Sequence, residues 1–398
     1  MTTFVQLHLL TSYPPACLNR DDNNRPKTAK MGGIDRLRIS SQSLKRAWRI
    51  SAVFREKLSE QTGIRSKEIG RRIKEALMTG VSLSELLKNN SPAMKPDGQV
   101  TEENATEWAW MIAAEFVDKK SKGSDDEADG EDEPDEDKGK KKGKKAAKSN
   151  VSKETLKSEQ VVFYSRDEID ELGKLVAELR KSKSKAPTIE QLAAMKKTDA
   201  PGTADLAMFG RMLAASPGYN VEAACQVAHA ITVHRAAVED DYFTAVDDLN
   251  TREVDTGSAH IGEQGFGAGL FYLYVCIDRD LLKENLGGDA ALAEKAIKAL
   301  IEAAATVAPT GKQNSFASRA SAFYVLAEKG TRQPRALSLA FMKPVRDGDM
   351  LTDAVSSLEA MRTNLDKVYY KGEALPSKHI NAVAGEGDFQ TLISFAAS

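Results

Sequence analysis

The chain contains few residues that could cross-link it or anchor it in a membrane. Its three cysteines, Cys17, Cys225 and Cys276, lie far apart and are odd in number, so the sequence predicts neither a disulfide framework nor a zinc knuckle. No run of residues approaches the roughly 18 consecutive apolar positions of a membrane helix. The N-terminus also lacks a basic segment before its short apolar run. We therefore expect no signal peptide, no membrane partner and a cytoplasmic protein.

Signatures of catalysis and of cofactor binding are also missing. The glycine-rich run at 262–269 leads into an apolar strand rather than a helix, which disfavours a dinucleotide-binding loop. His229 and His234 are five residues apart on a predicted helix, so they lack the spacing of a zinc site. Adjacent aspartates at 21–22 and 247–248 have the chemistry to hold Mg²⁺, but no base or nucleophile pattern accompanies them. We expect no catalytic residue, no metal and no cofactor.

Positive charge is concentrated at one end of a chain whose formal net charge is only −2. Residues 1–49 contain nine Lys or Arg residues and three Asp residues, so this segment has an excess of six positive charges. The remainder of the chain carries a net charge of −8. Because a polyanion needs a local basic stripe rather than a basic protein, the sequence allows nucleic-acid binding by the N-terminal segment.

The clearest binding motif lies where the first helix is predicted to begin. Ser40 or Ser41 is suited to cap a helix that runs to about Leu58. The free backbone N–H groups and the macrodipole at such a terminus favour an anion. Hydroxyl groups and cations surround this terminus, at Arg36, Arg38, Ser40, Ser41, Ser43, Lys45 and Arg49. The pattern predicts a phosphate site, and the alternative is a capped surface helix that is merely basic.

Hydrophobic periodicity predicts an α+β fold. Residues 4–10 alternate like a half-buried strand, and the apolar run 271–277 suits a central strand. The polar, glycine-rich stretch 240–269 is typical of a long hairpin or a protruding loop. Residues 64–118 are mostly helical in pattern; further helices are predicted over 169–179, 221–236, 290–307 and 355–369, and further strands over 322–327 and 336–342. The order strand, helix, long insertion, strand, helix, strand is that of a split βαβ or RRM-like core.

Residues 119–150 differ in composition from the rest of the chain. The segment Asp125–Asp137 contains ten acidic residues, and Lys138–Lys148 contains seven lysines. Such a segment cannot bury enough apolar surface to offset the entropy lost on ordering, so we predict a disordered charged loop. A role for its lysines in holding nucleic acid is the alternative.

Phe243 stands between acidic residues within the predicted hairpin. An aromatic ring at an exposed tip can stack on a nucleic-acid base, which is worth roughly 1–3 kcal/mol. The alternative is a hairpin tip that folds back onto the core.

Several segments, in the same order, closely resemble the CasC family, the backbone subunit of the type I-E CRISPR Cascade complex. The resemblance is strong over 1–50 and 205–290, thin over 300–398 and nearly absent over 60–200. The matching motifs are Cys17–Asp22, Gly32-Gly33, Arg36–Ala47, Gly210–Met212, Ala228–His234, Phe243–Leu249 and Gly257–His260. The 119–150 insertion is foreign to the family.

The resemblance implies a hand-like fold with an RRM/ferredoxin-like palm, a helical fingers insertion and a β-hairpin thumb. On this basis the palm comprises 1–58 and 271–398, the fingers 59–204, the palm and thumb base 205–236, and the thumb 237–270. Copies of such a subunit wind head to tail along the CRISPR RNA (crRNA) guide, and each thumb kinks the guide so that it can pair with target DNA. The implied partners are crRNA, the target DNA strand, further copies of the chain and other Cascade subunits.

The resemblance also assigns binding residues. Positions that match guide-backbone contacts are Arg20, Lys27, Ser40, Gln42, Ser43, Lys45 and Arg49, with Lys312 as a weaker match. Arg38 is added to these because it flanks the predicted helix start. Met212 and Phe243 match residues that wedge around a displaced base.

Two alternatives stay open. A type III backbone subunit would cleave target RNA with a divalent metal, and Asp21, Asp22 or Asp35 would have to supply the carboxylate. A general RRM-type RNA-binding protein would bind without forming a filament, but the sequence lacks the aromatic strand motif of that module.

Overall fold

The architecture was obtained as a computed structural model, which describes residues 2–88, 95–117, 151–182, 185–196, 202–213, 217–245, 260–346 and 348–398. The predicted disordered segment 119–150 and residues 246–259 of the predicted hairpin lie outside these ranges. Within them, no helix is both long and apolar enough to cross a membrane.

Strands and helices are mixed along the chain, which confirms the predicted α+β class. The strands are β1 (Phe4–Ala16), β2 (Thr28–Met31), β3 (Ile34–Ile39), β4 (Ile64–Ser66), β5 (Val162–Tyr164), β6 (Cys225–Val227), β7 (Ala230–Thr232), β8 (Glu239–Ala245), β9 (His260–Asp278), β10 (Tyr324–Gly330) and β11 (Ser377–Asn381). The helices are α1 (Ser41–Ile50), α2 (Ala52–Leu58), α3 (Ile69–Thr79), α4 (Leu83–Lys88), α5 (Glu102–Ala114), α6 (Arg166–Ser182), α7 (Ile189–Ala194), α8 (Ala204–Phe209), α9 (Arg279–Asn285), α10 (Ala290–Thr306), α11 (Gln313–Phe316), α12 (Met350–Tyr370) and α13 (Phe389–Ala397).

The chain divides into two compact units. The first unit comprises Met1–Gln61, Ala207–Phe209 and Ala223–Ser398. The second comprises Thr62–Leu206 and Gly210–Glu222. The assignment of palm, fingers and thumb to stretches of the chain stays a prediction.

The first unit is built on an antiparallel sheet. Its strand order is β11-β10-β1-β9-β7-β3-β2, and the short strands β6 and β8 also pair with β9. The central strand β1 lies between β10 and β9. It is buried on both faces rather than half-buried as predicted, because its polar residues Gln6 and His8 find partners inside the unit. The Gln6 amide oxygen accepts from the Tyr274 hydroxyl at 2.9 Å and from the Arg335 N–H at 2.7 Å.

Helices and an irregular segment complete the core of this unit. Helix α10 packs against α2 and α13. A separate buried cluster includes Leu10 of β1, Tyr272 of β9, Leu358 of α12 and, from the segment before α12, Phe341. The single-turn 3₁₀ helix Ser338–Phe341, which precedes α12, supplies Phe341 to that cluster.

The second unit is mainly helical. Ile73 of α3, Trp108 of α5 and Leu172 of α6 belong to one buried cluster. Strands β4 and β5 form a separate two-stranded sheet. A buried ion pair joins the Arg211 guanidinium to the Glu168 carboxylate at 2.6 Å.

Some predicted elements are confirmed and others are wrong. The central strand, the β8–β9 pairing of the hairpin and the helices at 169–179, 290–307 and 355–369 are present. The helix predicted over 221–236 is wrong, because β6 and β7 occupy that segment. The strand predicted over 336–342 is wrong, because the 3₁₀ helix lies there. The first helix stops at Ile50, where Ser51 caps a second helix by accepting from the Phe54 N–H at 3.2 Å. The strand at the edge, β11, and helix α13 were not predicted.

Candidate nucleic-acid interface

Helix α1 begins where the sequence predicts, and of the two predicted candidates, Ser40 and Ser41, its N-cap is Ser40. The Ser40 hydroxyl accepts from the Ser43 N–H at 3.4 Å. Ser40 is itself held from outside the helix, since its N–H donates to the Asn19 side-chain oxygen at 2.9 Å. Leu44, Ala47 and Trp48 face the core, whereas Gln42 and Arg46 are exposed. Ser40 itself is buried, so the predicted contact of its side chain with the guide is not supported by exposure. The part of the helix start that is open to solvent carries Gln42 and Arg46, while the apolar side fixes the position of the helix.

A polar cleft of about 360 Å³ lies beside this helix start. Three separate stretches of the first unit line it: the loop after β1, helix α1 and the segment before α11. The lining side chains and backbone include Asn19, Arg20, Ser43, Arg46, Thr310 and Gly311. Gly311 must be a glycine, because a Cβ there would lie 2.4 Å from the Leu18 carbonyl oxygen. The structure thus brings the predicted residues Arg20 and Ser43 together with Arg46 and Thr310, to which the sequence pattern gives no role.

Lys45 and Arg49 lie on the next exposed strip of α1. Both are partly exposed. The Lys45 ammonium lies 5.5 Å from the centre of the Phe209 ring, close enough for a cation–π contact. This contact fixes the direction of the Lys45 side chain without neutralising its charge.

A second basic group forms on the neighbouring strand edge. The Arg38 N–H donates to the Lys27 carbonyl oxygen at 2.8 Å, which holds the two residues side by side. The Arg38 guanidinium is 2.8 Å from Nδ1 of His229. Partial desolvation lowers the pKa of His229 below its ordinary value, and the charges of Arg38 and Lys27 lower it further. The sequence predicts a helix at His229, but this residue lies exposed between the strands β6 and β7.

Arg36 has a structural role instead of the expected anion-binding role. It is fully buried, and its guanidinium donates to the carbonyl oxygens of Met31, Thr232 and Phe341 at 3.3, 3.1 and 2.7 Å. Burial lowers its pKa. Arg36 therefore ties β3 to the core and is not available to a ligand.

Lys312 and the hairpin are linked through one amide. The Lys312 ammonium donates to the Gln264 side-chain oxygen at 3.0 Å, and the Gln264 amide nitrogen donates to Asp241 at 3.1 Å. Arg20 and Lys312 also lie close enough to oppose the burial that raises the pKa of the Cys17 thiol. Lys312 thus lies between the cleft and the hairpin strands.

Phe243 is exposed on β8, with 40% of its surface accessible. Its ring lies over Gly262, its partner in register on β9, where an added Cβ would come within 2.5 Å of the ring. The ring therefore lies against the hairpin backbone instead of the core of the unit.

Met212 belongs to the second unit, where it is 80% exposed. The residues on either side of it are held firmly. Arg211 pairs with Val221 through two backbone hydrogen bonds of 2.9 Å, and the Leu213 N–H donates to Asn220 at 2.6 Å. The ion pair between Arg211 and Glu168 adds a buried anchor. An apolar side chain is thus presented to solvent on a rigid support.

Asp21, Asp22 and Asp35, the candidate metal ligands of a nuclease, do not form a metal-binding cluster in the described part of the chain. One oxygen of Asp21 accepts from the N–H groups of Asn23 and Arg25, both at 2.9 Å, so this carboxylate stabilises the loop. Asp22 and Asp35 are exposed. The described part of the chain contains no group of three His, Cys, Asp or Glu residues arranged to hold a metal ion.

Sequence reasoning missed the residues that organise this face. Asn19 was unassigned, yet it accepts from the N–H of Ser40 through its side chain and from the N–H of Lys27 through its carbonyl oxygen at 2.8 Å. Arg46 carried a usable signal, since it follows Ser43 by three residues and so shares its helix face. Thr310 carried none, because only the fold brings it to the cleft.

Comparison with known proteins places the chain in a family. The model of the CT1975-like protein family matches residues 5–392. A chain of a "CRISPR RNA-guided surveillance complex, pre-nicking" is 27% identical, with a TM-score of 0.71 over 99% of both chains. A chain of another "CRISPR RNA-guided surveillance complex" is 23% identical, with a TM-score of 0.55 over 99% of this chain and 98% of that one, and shows likeness of fold alone. No curated protein matches the chain.

The family match and the 27% identical structure confirm the predicted relationship to subunits of CRISPR surveillance complexes. The assignment to the type I-E CasC family stays a prediction. Because the family model spans nearly the whole chain, this protein belongs to the CT1975-like family of Cas proteins.

Proposed function

We propose that the chain is a backbone subunit of a CRISPR surveillance complex that holds the sugar–phosphate backbone of the crRNA guide. One observation carries this proposal: the first unit gathers cations from the loop after β1, from β3, from α1 and from the segment before α11 around one capped helix start. Such a surface suits a run of phosphates better than a single small ligand. Backbone contacts hold any guide sequence, and base pairing then supplies the specificity.

The finer proposal is a type I-E-like subunit that oligomerises along the guide and kinks it at intervals. One copy offers few phosphate contacts and would bind weakly, whereas a head-to-tail array on one strand adds them together. The strand order β10-β1-β9-β7, with α1 and α10 in the connections, supports an RRM-like palm. Phe243 of the first unit and Met212 of the second unit are each exposed, and the exposure of each supports its own role as a wedge residue at a displaced base. Target DNA and the other subunits of the complex would then be partners.

The chain itself would perform no chemistry. The loop role of Asp21 argues against the type III alternative, in which a carboxylate of this loop would act with a metal. Incubation of the assembled complex with complementary RNA and Mg²⁺ distinguishes the two. We expect intact RNA, and cleavage at regular intervals would support the alternative.

Charge reversal of Lys45 and Arg49 tests the main proposal. We expect Lys45→Glu combined with Arg49→Glu to abolish both guide retention and assembly, because two attractive contacts become repulsive. The readout is the amount of guide RNA that copurifies with the tagged chain.

A matched control keeps the same change in net charge. Lys367→Glu with Lys378→Glu reverses two exposed lysines on α12 and β11, and β11 lies at the opposite end of the sheet order from β2 and β3. The control should retain the guide. Unchanged copurification with the Lys45/Arg49 variant would refute the proposal.

A further inference from the structure

His229 lies at the basic strand edge in a defined protonation state. Its Nδ1 is 2.8 Å from the Arg38 guanidinium. Because a guanidinium can only donate, Nδ1 must be the acceptor and the neutral ring carries its proton on Nε2. The imidazole is exposed, so its Nε2–H is accessible to a ligand.

The charges around this ring are unbalanced. Lys27, from the segment before β2, and Arg38, from β3, are the charged groups that act on His229, and both disfavour its protonation. Among the described residues, neither Lys27 nor Arg38 forms a salt bridge with a carboxylate. Arg38 thus contacts His229, and the charge of Lys27 acts on the same ring, while among the described residues no carboxylate pairs with either cation. A phosphate would complete this arrangement.

We propose that His229, Lys27 and Arg38 form a proton-linked phosphate site, which takes up one proton as it binds the backbone of the guide. This inference rests on the proposed function and adds to it a ligand residue and a dependence on pH. A phosphate oxygen accepts the Arg38 N–H that Nδ1 of His229 accepts in the free protein. The released Nδ1 takes a proton from solvent, and the resulting imidazolium pairs with the phosphate.

The direction in which RNA affinity changes with pH depends on the pKa of His229 in the free protein and in the complex. In the free protein, desolvation and then the charges of Arg38 and Lys27 hold the pKa of His229 below 6.5. In the complex a phosphate anion raises that pKa, so the complex binds more protons than the free protein. Affinity for RNA therefore rises as pH falls through the window between the two pKa values, by at most about tenfold per pH unit.

Calorimetry measures this uptake directly. The full chain is titrated with an oligouridylate, whose bases do not ionise near neutrality, in two buffers with different ionisation enthalpies, at several pH values from about 5.5 to 8. We expect wild type to take up a fraction of a proton that approaches one per copy, and its Kd to rise severalfold between pH 6 and 7.5. His229→Asn keeps an acceptor for Arg38, and we expect it to bind with no linked uptake and a flat pH profile.

His379→Asn is the matched control, because it removes an exposed histidine from β11, at the other edge of the sheet. It should keep the wild-type uptake and slope. Equal uptake in His229→Asn and wild type, with both folded by circular dichroism, would overturn the inference while leaving the proposed function intact. Absence of RNA binding by wild type would overturn both. If His229→Asn does not fold, His229→Gln replaces it and the same two outcomes decide.

Discussion

Arg36 and Arg38 are two residues apart on β3 and have opposite roles. Arg36 is fully buried and donates to three backbone carbonyl oxygens. Arg38 is partly exposed and reaches His229 at the strand edge. An arginine is suited to both tasks, since its planar fork can satisfy several acceptors at once or meet a phosphate.

We expect replacement of these two arginines to separate stability from binding. Arg36→Met leaves three carbonyl groups without their charged donor and should lower the free energy of unfolding by about 2–4 kcal/mol. Arg38→Met should leave stability nearly unchanged and weaken RNA binding. Urea unfolding and RNA binding at a temperature where both variants are folded are the two measurements.

The two variants are controls for each other, since each replaces one arginine of β3 with methionine and so makes the same chemical change at a different position. Equal loss of stability in both would contradict the structural role of Arg36. Equal loss of RNA affinity in both, with the protein folded, would contradict the assignment of Arg38 to the interface.

The sequence identifies the cations near the helix start but does not show which of them are buried and structural and which are exposed for binding. Arg36 and Arg38 both flank the predicted helix start, so the sequence pattern predicts the same anion-binding role for both. The two roles differ because the Arg36 guanidinium donates to the carbonyl oxygen of Phe341, which is distant in sequence and is brought there only by the fold. The cap at Ser40, by contrast, was predictable because its partner Ser43 is three residues away.

At the scale of elements, the β8–β9 hairpin combines an exposed aromatic ring with a defined base. Its strands pair in register from Glu239 opposite Phe266 to Ala245 opposite His260. At the base, the Phe266 ring lies 5.9 Å from the Phe316 ring of α11, and Lys312 reaches Gln264. The hairpin is therefore fixed to the same segment that lines the cleft.

We expect Phe243→Ala to remove the wedge without removing backbone binding. Loss of one stacked base should cost roughly 1–3 kcal/mol of RNA affinity. A series of guides, each with the fluorescent base 2-aminopurine at a different position, reports an unstacked base as high fluorescence. The fluorescence at these positions should fall in the variant. Gly262→Ala should have the same effect, because its Cβ displaces the ring.

Tyr242→Ala is the control, since Tyr242 is also exposed but successive residues of a strand point to opposite faces. It should leave the fluorescence pattern unchanged. An unchanged pattern in Phe243→Ala as well would show that the ring does not contact a base.

Two elements show where local pattern fails. The segment 221–236 has alanines and a helical period, yet β6 and β7 form because β9 and β3 offer backbone partners there. The segment 336–342 is apolar like a strand, but Leu337 and Phe341 are buried in the core through one 3₁₀ turn. Tertiary context overrides propensity in both. The long helices α10 and α12 were predictable because each carries its own apolar face.

At the scale of the whole molecule, the chain is nearly neutral but the proposed interface is not. The excess of six positive charges in residues 1–49 lies within the first unit. Binding that depends on these charges releases counterions from the RNA, so it must weaken as salt rises. The slope of this dependence counts the phosphates that are neutralised.

The salt dependence of RNA binding therefore tests the central claim most directly. The slope of log K against log salt concentration is compared for wild type and for a variant with Lys27→Gln and Lys45→Gln. Two lost phosphate contacts on a single strand should reduce the steepness of the slope by about 1.4. An identical slope in the two proteins would contradict the claim that this face binds the guide backbone.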